Sequence, residues 1–177
     1  MLSNELRSAS QIVALVGLFF SILMFMPWLA SFAAGWKGGD HFLWSGLTSG
    51  FGCIIVLLAT RGETPKISAR FGILVVNFLW WIVPLICALP FILALPELTL
   101  IDAIFEATSG LTTTGATVLT DLIDQPRPIL LWRSLMQWVG GLGILSLGLI
   151  LLPFLRVGGM QLFRMESSDR ADKPLPR

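Results

Sequence analysis

Long runs without a charged residue constrain this chain more than any other feature. Ile12 to Phe32 carries no Asp, Glu, Lys or Arg over 21 residues, enough for a helix to cross about 30 Å of hydrocarbon. Phe42 to Thr60 is uncharged too, as is Phe71 to Leu95 over 25 residues. Ile129 to Leu155 is a further apolar run, interrupted by Arg133 and thinned by Gly140, Gly141 and Gly143. A bilayer accepts such runs as helices, because a helix satisfies its own backbone polar groups. Charged residues make up only 13% of the chain, against about a quarter in a soluble domain, and mean hydropathy is +0.81. The expected fold class is therefore all-α integral membrane.

The connections organise these runs. Met1 to Ser10 is a polar lead, Pro27 is placed to kink the first span, and Ala33 to His41 is a Gly-rich loop. Gly46 and Gly50 form a GxxxG pair in the second span, a pattern that permits close helix contact. Arg61 to Arg70 is a charged turn. Pro90 and Pro96 place the end of the third span near Leu95. Residues 98–109 are too few to cross a bilayer yet too apolar for a surface loop, so they are expected to form a re-entrant helix. Residues 110–118 then form an oxygen-rich loop, Asp121 to Pro128 a polar turn, and residues 129–155 the last span. The division expected is a leading helix pair over 1–65, a helix–re-entrant helix–loop–helix repeat over 66–165, and a cytoplasmic tail over 166–177.

Loop charges orient this arrangement. With a cytoplasmic N-terminus, Arg7, Arg61, Lys66, Arg70, Arg156, Arg164, Arg170, Lys173 and Arg177 lie inside, and Lys37, Arg127 and Arg133 outside. Nine against three is the asymmetry of the positive-inside rule. It holds only if residues 97–118 enter and leave on the same face; both termini are then cytoplasmic.

The stretch Ser109-Gly110-Leu111-Thr112-Thr113-Thr114-Gly115-Ala116-Thr117-Val118 is the one uncharged, polar, backbone-rich segment between apolar spans. Irregular backbone at membrane depth is tolerated only inside protein or along a watery cavity, and a run of carbonyls and hydroxyls there can replace the hydration shell of a cation. The short helix before it presents the negative end of its dipole to that cation. Gly115 supplies backbone angles that Thr or Val resist. One such loop is incomplete, since a dehydrated ion needs a ring of several. A plain loop or helix cap is the alternative for this composition.

Other residues offer less. Cys53 and Cys87 lie inside apolar runs without metal-ligand spacing, and His41, the only histidine, has no partner near it in sequence; packing and a solvated loop end explain them. Asp102 and Glu106 share one face of the short helix, but no nucleophile or histidine accompanies them, so an enzyme is disfavoured. Asp121 and Asp124 suit either a solvated turn or a cation-attracting entrance. Arg133 either snorkels to the interface or bonds the loop carbonyls and Glu106. Trp28, Trp36, Trp44, Trp132 and Trp138 fall towards span ends, as interfacial anchors do. The net charge of +1 argues neither for nor against a nucleic-acid partner, and none is expected.

Residues Asp102 to Val118 (DAIFEATSGLTTTGATV) resemble the first pore loop of the Trk/Ktr/HKT superfamily of potassium transporters. Trp132 to Gly143 (WRSLMQWVGGLG) and Gly158 to Arg164 (GGMQLFR) resemble segments that follow it in the bacterial Trk-type membrane subunit, and the first two spans match that subunit's leading helix pair. The resemblance implies potassium uptake in a bacterial inner membrane, with Gly115 as filter glycine and Thr112, Thr113, Thr114 and Ala116 as flanking backbone ligands. Potassium would sit at Thr113, Thr114 and Gly115, with Glu106 and Arg133 supporting the loop. Potassium is then the transported substrate and no cofactor is expected. The partners implied are membrane lipid, the remaining pore repeats or a full-length transporter, a cytosolic nucleotide-binding regulatory subunit, and a second copy in a homodimer of the complete protein. The family carries four repeats and this sequence only the first, so a fragment or one part of a split protein is expected. A non-conducting scaffold that binds a complete transporter is the alternative.

Overall fold

The computed structural model of the chain describes residues 2–61 and 69–146. Among these the structure is all helical: α1 (Leu2–Leu23), α2 (Phe25–Ala34), α3 (Asp40–Ala59), α4 (Ala69–Ala94) and α5 (Leu100–Leu111). A sixth helix, α6, starts at residue 127 and is described as far as 146. Residues 1–141 make one compact unit, and residues from 142 onward a second. The charged turn at 62–68, the end of the last span at 147–155, the GGMQLFR segment and the tail lie outside the described residues.

Among the described residues three segments are long and apolar enough to cross a membrane: Asn4–Ala34, Asp40–Ala59 and Phe71–Ala94. The polar lead expected over Met1 to Ser10 is instead the first turns of α1, with Ser8 and Ala9 buried. Pro27 acts ahead of itself. It has no N–H for the Leu23 carbonyl four residues earlier, and α1 ends at Leu23 before α2 begins at Phe25. His41 lies in the first turn of α3 rather than at a loop end. Pro84 and Pro90 sit inside α4, which ends at Ala94.

Small residues set the packing of α1 on α3. A Cβ on Gly46 would lie 2.9 Å from the Ser21 carbonyl oxygen, and one on Gly50 3.5 Å from the Ser21 Cβ. Side chains larger than hydrogen would hold the two helices apart. The Ser21 and Ser49 hydroxyls hydrogen-bond across this contact at 2.8 Å. The Ser21 hydroxyl also lies 2.8 Å from Gly17 O and that of Ser49 2.6 Å from Ser45 O, so two hydroxyl protons serve three contacts.

The main core joins α4, α5 and α6 to the first helices through Phe42, Phe91, Ile129, Trp132 and Met136, all fully buried. Trp132 corrects the sequence reading: it is a core residue, not an interfacial anchor. Its indole N–H donates to Cys87 O at 3.1 Å, and its ring meets Phe42 edge to face at 6.1 Å. A Trp buries a large apolar area once its one donor finds an acceptor. Trp44 and Trp138 are exposed. Cys53 and Cys87 are buried free thiols.

Candidate cation-binding loop

The short helix α5 is defined at its start by its own sequence. Thr99 Oγ1 accepts from Asp102 N while Asp102 accepts from Thr99 N, a reciprocal capping box. This cap sets the start at Leu100, so α5 runs two residues later than the 98–109 expected, and Gly110 and Leu111 are helical. Asp102 is thereby engaged in the cap. Twelve residues rise about 18 Å, well short of a bilayer core.

The helix ends in a six-residue turn. Thr114 N donates to Ser109 O at 3.0 Å and Thr113 N to Gly110 O at 3.1 Å. These are the paired bonds of a Schellman motif, which normally places glycine at the left-handed position. Here that position is Thr113, with φ 58°. Left-handed backbone costs a non-glycine residue about 1–2 kcal/mol, and strain of this kind is held only where its surroundings enforce it. Gly115 is also left-handed, at φ 75°, as its choice in the sequence requires. The Thr112 and Thr114 hydroxyls bond each other at 2.7 Å.

From Thr113 to Val118 the chain is exposed and runs back along α5. Ser109 Oγ donates to Ala116 O at 2.6 Å. One turn nearer the start of α5, Glu106 Oε1 accepts from Thr117 Oγ1 and from Val118 N, each at 2.6 Å. Arg133 on α6 closes the group: its Nη1 lies 2.5 Å from Glu106 Oε2 and donates to Thr117 Oγ1 at 2.6 Å. Arg133 thus meets a carboxylate and a hydroxyl, not the loop carbonyls considered in the sequence reading. The Glu106 side chain has no exposed surface and that of Arg133 is 13% exposed. A buried carboxylate is stable when paired and hydrogen-bonded, and Glu106 has both kinds of partner.

Sequence reasoning missed Thr117. Its hydroxyl donates to Glu106 and accepts from Arg133 and from Leu119 N, filling its hydrogen-bonding capacity. Nothing in spacing marks it, because residue 117 meets residue 106 only once the chain has reversed. Ser109 was missed for the same reason, since it meets Ala116 only across that reversal.

Helix α6 lies hard against this loop. A Cβ on Gly140 would fall 2.1 Å from Leu111 O and 2.7 Å from Leu111 C, and one on Gly110 3.1 Å from Met136 Cε. Elsewhere Arg127 lies over the Trp36 ring at 5.8 Å, tying the turn at 121–126 to the α2–α3 loop. Asp121 takes a left-handed angle in that turn, φ 51°. Among the described residues no group of three or more His, Cys, Asp and Glu is placed to hold a metal ion.

Membrane-length helices, a short capped helix, and an oxygen-rich return held by a buried ion pair define a multi-pass membrane protein with a helix–short helix–loop–helix unit. Residues 48–177 match the TrkH family, described as a cation transport protein, and the chain belongs to that family. It is 48% identical over 98 residues to the Trk system potassium uptake protein TrkI of Halomonas elongata, covering 55% of this chain and 20% of that one. To the Trk system potassium uptake protein TrkH of Escherichia coli it is 39% identical over 161 residues, covering 90% of this chain and 33% of the relative. The crystal structure of the potassium transporter TrkH from Vibrio parahaemolyticus superposes with a TM-score of 0.81 at 34% identity, over 94% of this chain and 36% of that one. The chain spans a fifth to a third of the length of the curated relatives it matches.

Proposed function

We propose that the chain takes part in potassium uptake across a bacterial inner membrane and contributes one quarter of a selectivity filter. The observation that carries this is the exposed return Thr113–Val118, backed by the buried Glu106–Arg133 pair. The printed names of its relatives, potassium uptake proteins, support it. In this reading the backbone of Thr112, Thr113, Thr114, Gly115 and Ala116 faces the ion path. Potassium, the substrate, is held at Thr113, Thr114 and Gly115. Ala116 contributes least, because its carbonyl already accepts from Ser109. The dipole of α5 places its negative end at the start of the loop, while Glu106 and Arg133 fix the return without touching the ion. The other ring members come from further repeats or a complete transporter. A nucleotide-binding regulatory subunit and a homodimer belong to the same reading, as do cytoplasmic termini.

The test is growth of a potassium-uptake-deficient bacterium on low potassium. The chain is expressed alone and together with the part of a Trk relative that it does not span. Rescue only with that second chain, abolished by Gly115→Asp, supports the reading. Rescue by the chain alone overturns the one-quarter assignment. Failure of both, with membrane insertion confirmed, would replace transport by the scaffold role.

A further inference from the structure

We infer that Ser109 is a positioning residue for the filter, its hydroxyl fixing where the ion-facing run of backbone carbonyls stops. The inference rests on the filter reading above and deepens it. A serine or threonine within a helix can satisfy its hydroxyl on the carbonyl four residues earlier. Ser31, Ser45, Thr108, Ser134 and Ser146 all do so here. Ser109 departs from them. Its Oγ donates at 2.6 Å to Ala116 O, seven residues later on the return.

That bond divides the loop carbonyls. Among the described residues those of Thr112, Thr113, Thr114 and Gly115 accept no hydrogen bond, while that of Ala116 accepts one. Carbonyls without a partner in the protein are the ones open to a dehydrated cation. Ser109 is buried, at 6% exposure, so the carbonyl it holds turns inward, away from the exposed side of the return. Ser109 shares a helix face with Glu106, three residues earlier, and the two are complementary in polarity. Glu106 accepts from Thr117 Oγ1 and Val118 N, and Ser109 donates to the carbonyl just before them. An ionised carboxylate has no proton to offer a carbonyl, so the hydroxyl does what Glu106 cannot. Without it the Ala116 carbonyl is released to the ion path as a further ligand, and the return is tied only from Thr117 onward.

Two measurements test this. Ser109→Ala removes one oxygen atom and leaves a good helix former. In the isotope-labelled chain in lipid nanodiscs, the Ala116 carbonyl carbon resonance should move upfield as its hydrogen bond is lost. That of Thr120, whose carbonyl accepts from Gln125, should stay. The Val118 amide should exchange about fivefold faster, the worth of one hydrogen bond, and that of Ala103, bonded to Thr99 O at the far end of α5, should not change. In cells carrying the second chain, Ser109→Ala should lower potassium-over-sodium preference about fivefold at equal membrane abundance. Ser109→Thr, which keeps the hydroxyl, should recover part of it. An unmoved Ala116 resonance overturns the inference, as does an unchanged ion preference. Equal acceleration at Ala103 also overturns it, since that marks general loosening. If the unaltered chain supports no uptake, the filter reading fails, while the Ala116 resonance still decides whether Ser109 holds the return.

Discussion

The contact between Gly140 and the end of α5 yields the sharpest prediction. In Gly140→Ala the new methyl carbon would lie 2.1 Å from Leu111 O, 2.7 Å from its carbonyl carbon and 2.9 Å from its Cα. All three atoms are backbone, so no rotamer change relieves the clash, and α6 must move about 1 Å from α5. Overpacking of this kind costs about 1–3 kcal/mol. The same substitution gains up to about 1 kcal/mol of helix propensity wherever there is room. Gly143, on the same helix, has nothing among the described residues within 4 Å of its Cβ position and provides the control. Thermal unfolding in detergent, followed by tryptophan fluorescence, should show Gly140→Ala lowered by about 4–8 °C for a loss near 2 kcal/mol, with Gly143→Ala unchanged or raised. The buried Trp132, about two turns earlier on α6, reports on the same packing. Equal stability of the two variants would refute the reasoning, because it would mean that α6 does not touch the Leu111 backbone.

Further outcomes follow from the same geometry. Arg133→Leu leaves the buried Glu106 carboxylate without its cation and should cost about 3–5 kcal/mol; adding Glu106→Gln should recover more than half, read as a double-mutant cycle in denaturant. Thr113→Gly removes the left-handed strain and should raise the unfolding midpoint by the equivalent of about 1 kcal/mol, whereas the same change at Thr112, which is not left-handed, should not. Thr99→Ala removes the α5 cap and should cost about 1 kcal/mol, measurable in the same assay. Cys53 and Cys87, at 7% and 0% exposure, should both resist a maleimide in the folded chain and both react after denaturation.

Much of the architecture was legible because membrane helices are written in hydropathy. The three uncharged runs overlap the three membrane-length segments found among the described residues. The GxxxG pair marked a close contact, and the 12-residue helix stood out by being too short to span. What failed depended on partners. Trp132 looks like an anchor from its position in the run and is a core residue because Cys87 O, 45 residues away, accepts its N–H. The expected kink at Pro27 falls at Leu23–Met24 because the missing hydrogen bond belongs to an earlier carbonyl. The start of α5 was misplaced by two residues, although Thr99 and Asp102 held the signal as a capping box.

The sequence by itself determined which segments enter the membrane and which one interrupts them. Both are local properties, set by the transfer of side chains and backbone out of water. Tertiary structure alone decided how the interruption is held. Glu106, Thr117 and Arg133 are separated by 11 and 16 residues and follow no shared period. They meet only because the chain reverses after Thr113 and α6 closes onto Leu111 through Gly140. A buried carboxylate requires its partners in place, and those partners come from elements that only the folded arrangement brings together.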